Sequence, residues 1–446
     1  MDRAREIAML VLKDVHENGA YANVSLLRTM KKGKISDIDR RFATELVYGA
    51  VKAGETLDWI IGKYADRLMK KMSPYVREVL RLGIFQLFYL DKIPASAACN
   101  EAVELIKKYE PKNIGAAKFV NAVLRNAVRE PDRAAFPNGK GHATEYLSLS
   151  SMHPYWLVKK WIEEFGYDDA KKICDFDNSP AVLSLRANTL KTTRNELLAI
   201  MRGEGAEVEP SSWSPDGILC HGHGSLDEMN SLKEGLWQAQ DESSMMVSYV
   251  VAPRPNEVVI DACAAPGGKS THIAAMMKNE GRVISCDIYP SKIERIEENA
   301  SRLGINIIEA ICLDARDIGV EYSDMADRVI VDAPCSGLGV LRRRPDARWR
   351  KTKEDLSKLP SLQLEILEGA SGAVKSGGVL VYSTCTMNEA ENENVVNEFL
   401  SAHDDFVLEN AGRFLPIKKR DDDMLHFYPQ RDGIDGFFIA RMRRKV

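Results

Sequence analysis

Two cysteines in the C-terminal half stand where a nucleophile would be of use. Cys335 follows the strand-like run 328–331 in the phrase DAPCSG, and Cys385 follows the run 379–382 in YSTCT. Free cysteines commonly pack inside elements as small hydrophobes, whereas these two come just past the ends of apolar runs. Only a thiolate attacks, and an ordinary thiol has a pKa of about 8.5, so a catalytic cysteine needs a nearby positive charge or a helix N-terminus. Lys269 and the arginines Arg342, Arg343 and Arg344 are the candidates for that charge. The other runs of strand composition, 258–260, 282–286 and 307–312, lead into Asp261, Asp287 and Asp314, and the run before Cys335 leads into Asp332. In open α/β sheets ligands bind outside the carboxyl ends of the strands, so these positions are expected to line one cleft.

The phrase DACAAPGGK at 261–269 reads as the end of a strand, a tight turn at Gly267 and Gly268, and the start of a helix over 270–277. Adjacent glycines let the backbone approach a ligand, and the helix start offers unpaired N–H groups. Neither G-x-G-x-x-G nor the Walker pattern is present, which disfavours a pyrophosphate. Asp287 lies about twenty residues beyond the turn, where a carboxylate can accept both ribose hydroxyls. Asp314, in LDARD, can accept from an adenine amino group. Either aspartate alone is more often a helix N-cap; together with this turn they favour S-adenosylmethionine over a dinucleotide.

The elements that position these residues come from the whole chain of 446 residues, enough for roughly three domains. Hydrophobic content of 45% and charged content of 28% are those of a folded globular protein. No apolar run approaches a membrane span and the charged start does not resemble a signal peptide, so a cytoplasmic location is expected. The eight cysteines form no C-x-x-C pair, and no metal site is expected; His221 and His223 read as loop residues. Net charge is −4, but residues 1–140 carry 25 Lys and Arg against 17 Asp and Glu, a balance of +8. A basic block on an otherwise acidic chain suits a polyanionic partner.

From Arg3 to about Glu130 the apolar spacing is helical, with breaks at Gly33, Ser73-Pro74, Pro94 and Pro111. A polar linker containing Pro131, Pro137, Asn138, Gly139 and Gly141 follows. Next comes a small α/β pattern: a helix over 155–165, the strand-like LSLRANTL at 183–190, a helix over 193–202, and strand-like runs near Val208 and Ile218. Arg186 and Asn188 lie within and just past that strand and either face a substrate or satisfy backbone groups. After a helix over 241–251, strands and helices alternate in the rhythm of a parallel sheet with helices on both faces. The stretch 341–353 interleaves Arg342, Arg343, Arg344, Arg348 and Arg350 with Trp349 and is expected to touch RNA by phosphate contact and base stacking.

Four phrases of the first 130 residues, DRRFATELVYGAVKAGETLDWII, REVLRLGIFQLFYLDKIP, NEAVELIKKY and KFVNAVLRNAVR, resemble the helical RNA-binding domain of the NusB antitermination factor family. In the C-terminal half, DACAAPGGKSTHIA, VISCDIYPSKIERIEENASRLG, DAPCSGLGVLRRRPDARWR, GGVLVYSTCTMNEAENE and DGIDGFFIARM resemble the RNA cytosine-C5 methyltransferase family. With the helical domain in front, the chain is similar to its bacterial Sun/Fmu branch. That resemblance implies an all-α NusB-like domain at 1–140, a small α/β, RRM-like domain at 151–235, and an α/β Rossmann-like class I methyltransferase domain at 236–446.

It further implies methyl transfer from S-adenosylmethionine to carbon 5 of a cytosine in 16S ribosomal RNA, by a monomer. Cys263, Ala264, Ala265, Pro266, Gly267, Gly268 and Lys269 would wall the cofactor, with Asp287, Asp314 and Asp332. Carbon 5 of cytosine is a weak nucleophile until a thiolate has added to carbon 6; by resemblance Cys385 is that thiolate and Cys335 acts later, in loss of the carbon-5 proton or in release. Asp332 would hydrogen-bond the base, which must leave its stack. DNA cytosine-C5 methyltransferases attack from a Pro-Cys motif like Pro334-Cys335, so the sequence leaves the two thiols interchangeable. The same chemistry on transfer RNA, and a non-catalytic RNA-binding assembly factor, stay open as alternatives; the paired cysteines fit only the cytosine chemistry.

Overall fold

The computed structural model describes residues 2–33, 35–138, 141–224 and 226–446; Gly139 of the expected linker lies outside them. The chain divides into two units, Met1–Asn178 with Arg344–Arg350, and Ser179–Arg343 with Lys351–Val446. No helix among the described residues is long and apolar enough to cross a membrane.

The first unit is helical. Its principal helices are Arg3–Asn18, Ala22–Met30, Asp37–Ala53, Glu55–Tyr64, Pro74–Tyr89, Ala95–Tyr109 and Ile114–Arg129. Asp2, Ser36 and Ser73 accept backbone N–H bonds at three helix starts, satisfying donors that the first turn leaves unpaired. Ser73-Pro74, expected as a break, is a helix start, with proline in the first turn where its missing N–H costs nothing. The apolar faces meet in one core that includes Ile7, Leu12, Leu46, Val47, Ile60, Leu80, Ile84 and Leu124. Helix Asp37–Ala53 packs so closely that a Cβ on Gly49 would lie 2.0 Å from the Phe85 ring. Three further helices, Ala143–Ser151, Tyr155–Phe165 and Tyr167–Asn178, complete this unit.

The segment Arg344–Arg350 also belongs to the first unit, and this corrects the expectation that 341–353 is an RNA-facing loop. Arg348 is fully buried and donates to the carbonyl of Met152 at 2.9 Å and to Asn178 Oδ1 at 3.0 Å. Trp349 Nε1 donates to the Lys52 carbonyl at 2.9 Å, and Arg350 donates to the carbonyls of Gly19 and Ala20. These side chains spend their donors on protein because a helical unit exposes C-terminal carbonyls that lack intrahelical partners. In the second unit, Arg343 is bound to Asp435, Asp241 and the Val182 carbonyl, and Arg342 pairs with Asp435 at 3.4 Å. Within the stretch Arg344 is an exposed arginine.

The second unit contains two sheets. Strands β1 (Leu183–Ala187), β2 (Glu207–Pro210), β3 (Gly217–Gly222) and β4 (Trp237–Ala239) form an antiparallel sheet in the order β2-β3-β1-β4. Helix Arg194–Gly203, closed by a capping box between Thr193 and Glu196, packs its Leu197, Leu198 and Met201 in the core of this layer. Arg186 and Asn188 are buried structural groups: Arg186 donates to Gln240 and Thr271, and Asn188 donates to the carbonyls of Gly235 and Leu303.

The larger sheet comprises β5 (Val258–Asp261), β6 (Arg282–Asp287), β7 (Ile308–Cys312), β8 (Ala326–Asp332), β9 (Val374–Thr384), β10 (Phe406–Glu409), β11 (Met424–Phe427) and β12 (Phe437–Arg444). Its order is β10-β12-β9-β8-β5-β6-β7, with β11 on β12. The five strands read from the sequence are parallel. The last three are antiparallel additions through β12, so the sheet is mixed where a parallel one was expected. Apolar clusters lie on both faces. The chain runs outward from β5 through β6 to β7 and then returns to β8 on the other side of β5, which makes the β5/β8 crevice a topological switch point.

Arg348→Ala would leave buried carbonyl and amide acceptors without a donor, a loss of about 1–3 kcal/mol. The expected result is a lower urea midpoint for the helical unit; an unchanged midpoint with weaker RNA binding would restore the RNA-facing reading.

Candidate active site

The turn after β5 is shaped by main-chain bonds that leave its residues facing the switch point. Ala262 N donates to the Ile330 carbonyl at 2.9 Å and Ala264 N to the Cys286 carbonyl at 2.8 Å, pinning the turn between β8 and β6. The Ala265–Pro266 peptide is cis, and Gly267 has φ 95°, a left-handed conformation that favours glycine. Helix Gly268–Met276 starts directly after it. Cys263 is largely enclosed, and burial pushes its thiol up, with Asp261 adding to the shift. Asp261 is fully buried and accepts from Ser270 Oγ at 2.7 Å through Oδ2. Burial pushes its carboxyl up to about 6.

Lys269, from the first turn of the helix, reaches across the crevice to Asp332 at the end of β8, with Nζ 2.6 Å from Oδ2. Burial opposes the ammonium charge, but Asp332 outweighs it and the Lys269 pKa rises. Ser383 Oγ, from β9, donates to the other Asp332 oxygen at 2.8 Å. A carboxylate has about four acceptor positions, so Asp332 can still receive a donor from a ligand.

The two thiols meet. Cys335 Sγ and Cys385 Sγ are 3.3 Å apart, a hydrogen-bonding separation for two free thiols. The loops that carry them are held in place by backbone contacts: Ala333 N donates to the Ser383 carbonyl at 2.9 Å and Gly339 N to the Cys385 carbonyl at 3.0 Å. Donation of its hydrogen bond to Cys385, together with burial, raises the Cys335 pKa well above the usual thiol range, with Glu391 and Asp332 adding to the effect.

Behind the thiols lies a fully buried carboxylate that motif reading missed. Glu391 accepts from Ser336 N at 2.8 Å, Ser336 Oγ at 2.6 Å, Asn388 Nδ2 at 3.0 Å and Gln363 Nε2 at 3.0 Å. The run NEAENE directly after STCTM was its only trace in the sequence, and a run of acidic residues there reads equally well as a solvated helix start.

Asp287 and Asp314 occupy the strand ends expected of them, and each also serves a local turn. Asp287 accepts from Tyr289 N at 3.1 Å and from Lys292 Nζ at 3.2 Å. Asp314 caps the short helix Ala315–Asp317 and pairs with Arg316 at 2.7 Å. The cap is therefore the observed use of Asp314. Among the described residues no His, Cys, Asp and Glu cluster has the make-up of a metal site.

The chain is similar to known proteins over nearly its full length. A family model described as 16S rRNA methyltransferase RsmB/F matches residues 248–443, the NusB family matches 2–129, and the ferredoxin-like domain of RsmF/B-like methyltransferases matches 153–227. A relative from Bacillus subtilis (strain 168), described as a probable ribosomal RNA small subunit methyltransferase B, is 41% identical over 99% of this chain and 98% of its own. The chain belongs to the RsmB/F family of 16S ribosomal RNA methyltransferases. A ribosomal RNA small subunit methyltransferase B from Pectobacterium carotovorum is 31% identical over 98% of both chains. The crystal structure of NSun6 from Pyrococcus horikoshii with SFG is 25% identical, with a TM-score of 0.58, covering 66% of this chain and 98% of that one. As an RsmB/F member the protein is an RNA methyltransferase with a NusB domain, a ferredoxin-like middle domain and a mixed-sheet methyltransferase domain.

The buried Asp261 gives a pH test. Its carboxyl has a folded pKa of about 6 against 3.8, so its contribution to stability is fully present below 3.8 and is lost as pH rises through 6. The loss is on the order of 3 kcal/mol. Asp261→Asn is expected to flatten that part of the wild-type stability profile between pH 4 and 6, measured by chemical unfolding at each pH; parallel profiles would rule the assignment out.

Proposed function

We propose that this RsmB/F enzyme transfers a methyl group from S-adenosylmethionine to carbon 5 of a cytosine in 16S ribosomal RNA, through a covalent bond between Cys385 and carbon 6. The observation that carries the reading is the pair of free thiols 3.3 Å apart at the ends of neighbouring strands, beside an aspartate–lysine pair in the switch-point crevice. One thiol would suffice for a simple nucleophile. Two fit a reaction that must make a bond to the base and later break it.

The turn at 263–269 suits the donor: Gly267 turns the chain into a helix N-terminus shortly after the buried Asp261 strand end. Cys263, Ala264, Ala265, Pro266, Gly267, Gly268 and Lys269 would wall the donor, with Asp287 at the ribose, Asp314 towards the adenine and Asp332 along its border. SFG, an analogue of S-adenosylmethionine, accompanies the related NSun6 in its crystal structure. Bound there, S-adenosylmethionine supplies an electrophilic methyl carbon.

The residues of the chain do the rest. The Cys385 thiolate would add to carbon 6, forming an S–C6 bond and placing the ring electron pair on carbon 5, which would take the methyl group as its bond to the donor's sulfonium sulfur breaks, leaving S-adenosylhomocysteine. Lys269 provides the nearby positive charge that favours a thiolate. Asp332 accepts from the amino edge and from the ring nitrogen in its protonated form, favouring the electrophilic ring during the attack. Cys335, after its own proton has passed to solvent, receives the carbon-5 proton; the pair returns to the C5–C6 bond and the S–C6 bond breaks. The resemblance to the cytosine-C5 family favours Cys385 as the nucleophile and Cys335 as the later proton acceptor.

With methyl-labelled S-adenosylmethionine and unmodified small-subunit RNA, Cys385→Ala is expected to give no 5-methylcytosine, and Cys335→Ala to accumulate a protein–RNA adduct on a denaturing gel. Methylation surviving in Cys385→Ala would overturn the assignment of the nucleophile.

A further inference from the structure

The two thiols come from separate loops, and a strand ladder alone does not fix the distance between residues beyond its last pair. Their flanks converge on one acidic residue. Ser336, next to Cys335, gives Glu391 both its main-chain N–H and its hydroxyl, at 2.8 and 2.6 Å. Gln363, from helix Lys353–Ser371, donates through Nε2 to Glu391 at 3.0 Å and to the Pro334 carbonyl at 3.0 Å, so both neighbours of Cys335 are held from the same side. On the other loop, Asn388 Nδ2 donates to Glu391 at 3.0 Å. Thr386, next to Cys385, shares a 2.8 Å hydrogen bond with the Ser336 hydroxyl. The following residue extends the grip: Asn392 accepts from Thr384 Oγ1 at 2.5 Å and donates to the Thr386 carbonyl at 3.1 Å, bracketing Cys385. Tyr382 Oη donates to the Glu391 carbonyl at 2.6 Å.

Glu391 is fully buried, and among the described residues no lysine, arginine or histidine forms an ion pair with it. A buried carboxylate without a cation is costly. Its four donors come from three segments and fill the acceptor capacity of a carboxylate. Such a group stays in place only when every donor is in place, which makes it a sensitive gauge of loop geometry. A purely structural need at this position could be met by an apolar side chain.

We infer that Glu391 is a positioning residue for methyl transfer, clamping the Cys335 loop against the Cys385 loop so that Cys335 is held within reach of a base bonded to Cys385. The inference rests on the cytosine-C5 reading above. Because Glu391 grips both neighbours of Cys335, directly or through Gln363, its loss should impair release of the adduct more than its formation.

Glu391→Gln keeps the shape but turns one acceptor into a donor that faces other donors. It is expected to slow turnover roughly a hundredfold, the scale of an ångström-sized misplacement, and to accumulate the same protein–RNA adduct as Cys335→Ala. Binding of S-adenosylmethionine by the full chain should be preserved. The double exchange Glu391→Gln/Asn388→Asp returns one carboxylate and one amide to the cluster, and it is expected to restore the melting temperature and reduce the adduct. Glu391→Gln with wild-type turnover would overturn the inference. So would a fall in melting temperature, cofactor binding and rate together without any adduct, since that is the behaviour of a merely structural residue. Cys335→Ala assayed alongside separates the two levels: an adduct there but none in Glu391→Gln overturns the clamp alone, whereas normal release by Cys335→Ala overturns the role of Cys335 and the clamp with it.

Discussion

The register of β8 against β9 is the constraint on which the site depends. Val331 stands opposite Tyr382 and Asp332 opposite Ser383, so β8 ends one residue short of the end of β9 at Thr384. Cys335 lies three residues past the end of β8 and Cys385 directly past the end of β9. Side chains alternate along a strand, and a one-residue slip would turn the whole set to the other face. The slip is resisted by apolar residues on both faces, among them Val329, Ile330, Leu380 and Val381, all buried. The same register that buries the core therefore brings Asp332 to Ser383 and lets Cys335 meet Cys385.

Around that crevice the charge is unequal. Asp261, Asp287 and Asp332 come from three strand ends, with Lys269 paired to Asp332 and Lys292 paired to Asp287. Burial raises Asp261 and, against the attraction of Asp332, penalises the ammonium of Lys269. The carboxylate behind the thiols follows a different logic: Glu391 is balanced by neutral donors, which hold geometry without adding a second ionic partner.

Much of this architecture was legible. The helical spacing of the first 130 residues, the five parallel strands and the polar residues at their ends depend on local periodicity and on a rule of sheet topology that holds for open α/β folds. Other features were not. The antiparallel β12 inserts between β9 and β10, a pairing between distant segments that carries no local signal. The arginines at 342–350 had the composition of an RNA-facing loop, yet Arg348 and Trp349 are committed to carbonyls supplied by residues 52, 152 and 177. Composition reports which donors exist, and only packing reports which acceptors reach them. Arg186 and Asn188 illustrate the same point within the smaller sheet.

By itself the sequence determined the kinds of chemical group available and the ends of the elements that carry them: a glycine turn before a helix, carboxylates after strands, and two cysteines each just beyond a run of strand. Local backbone preference and hydrophobic alternation are enough to specify these. The tertiary structure alone decided which groups touch. Fifty residues separate Cys335 from Cys385 along the chain, and their 3.3 Å approach arises from strand register, from the close crossing of Gly339 and Gly436 beside them, and from the buried Glu391. These are long-range contacts whose partners are set by the packing of the whole sheet, which no window of sequence contains.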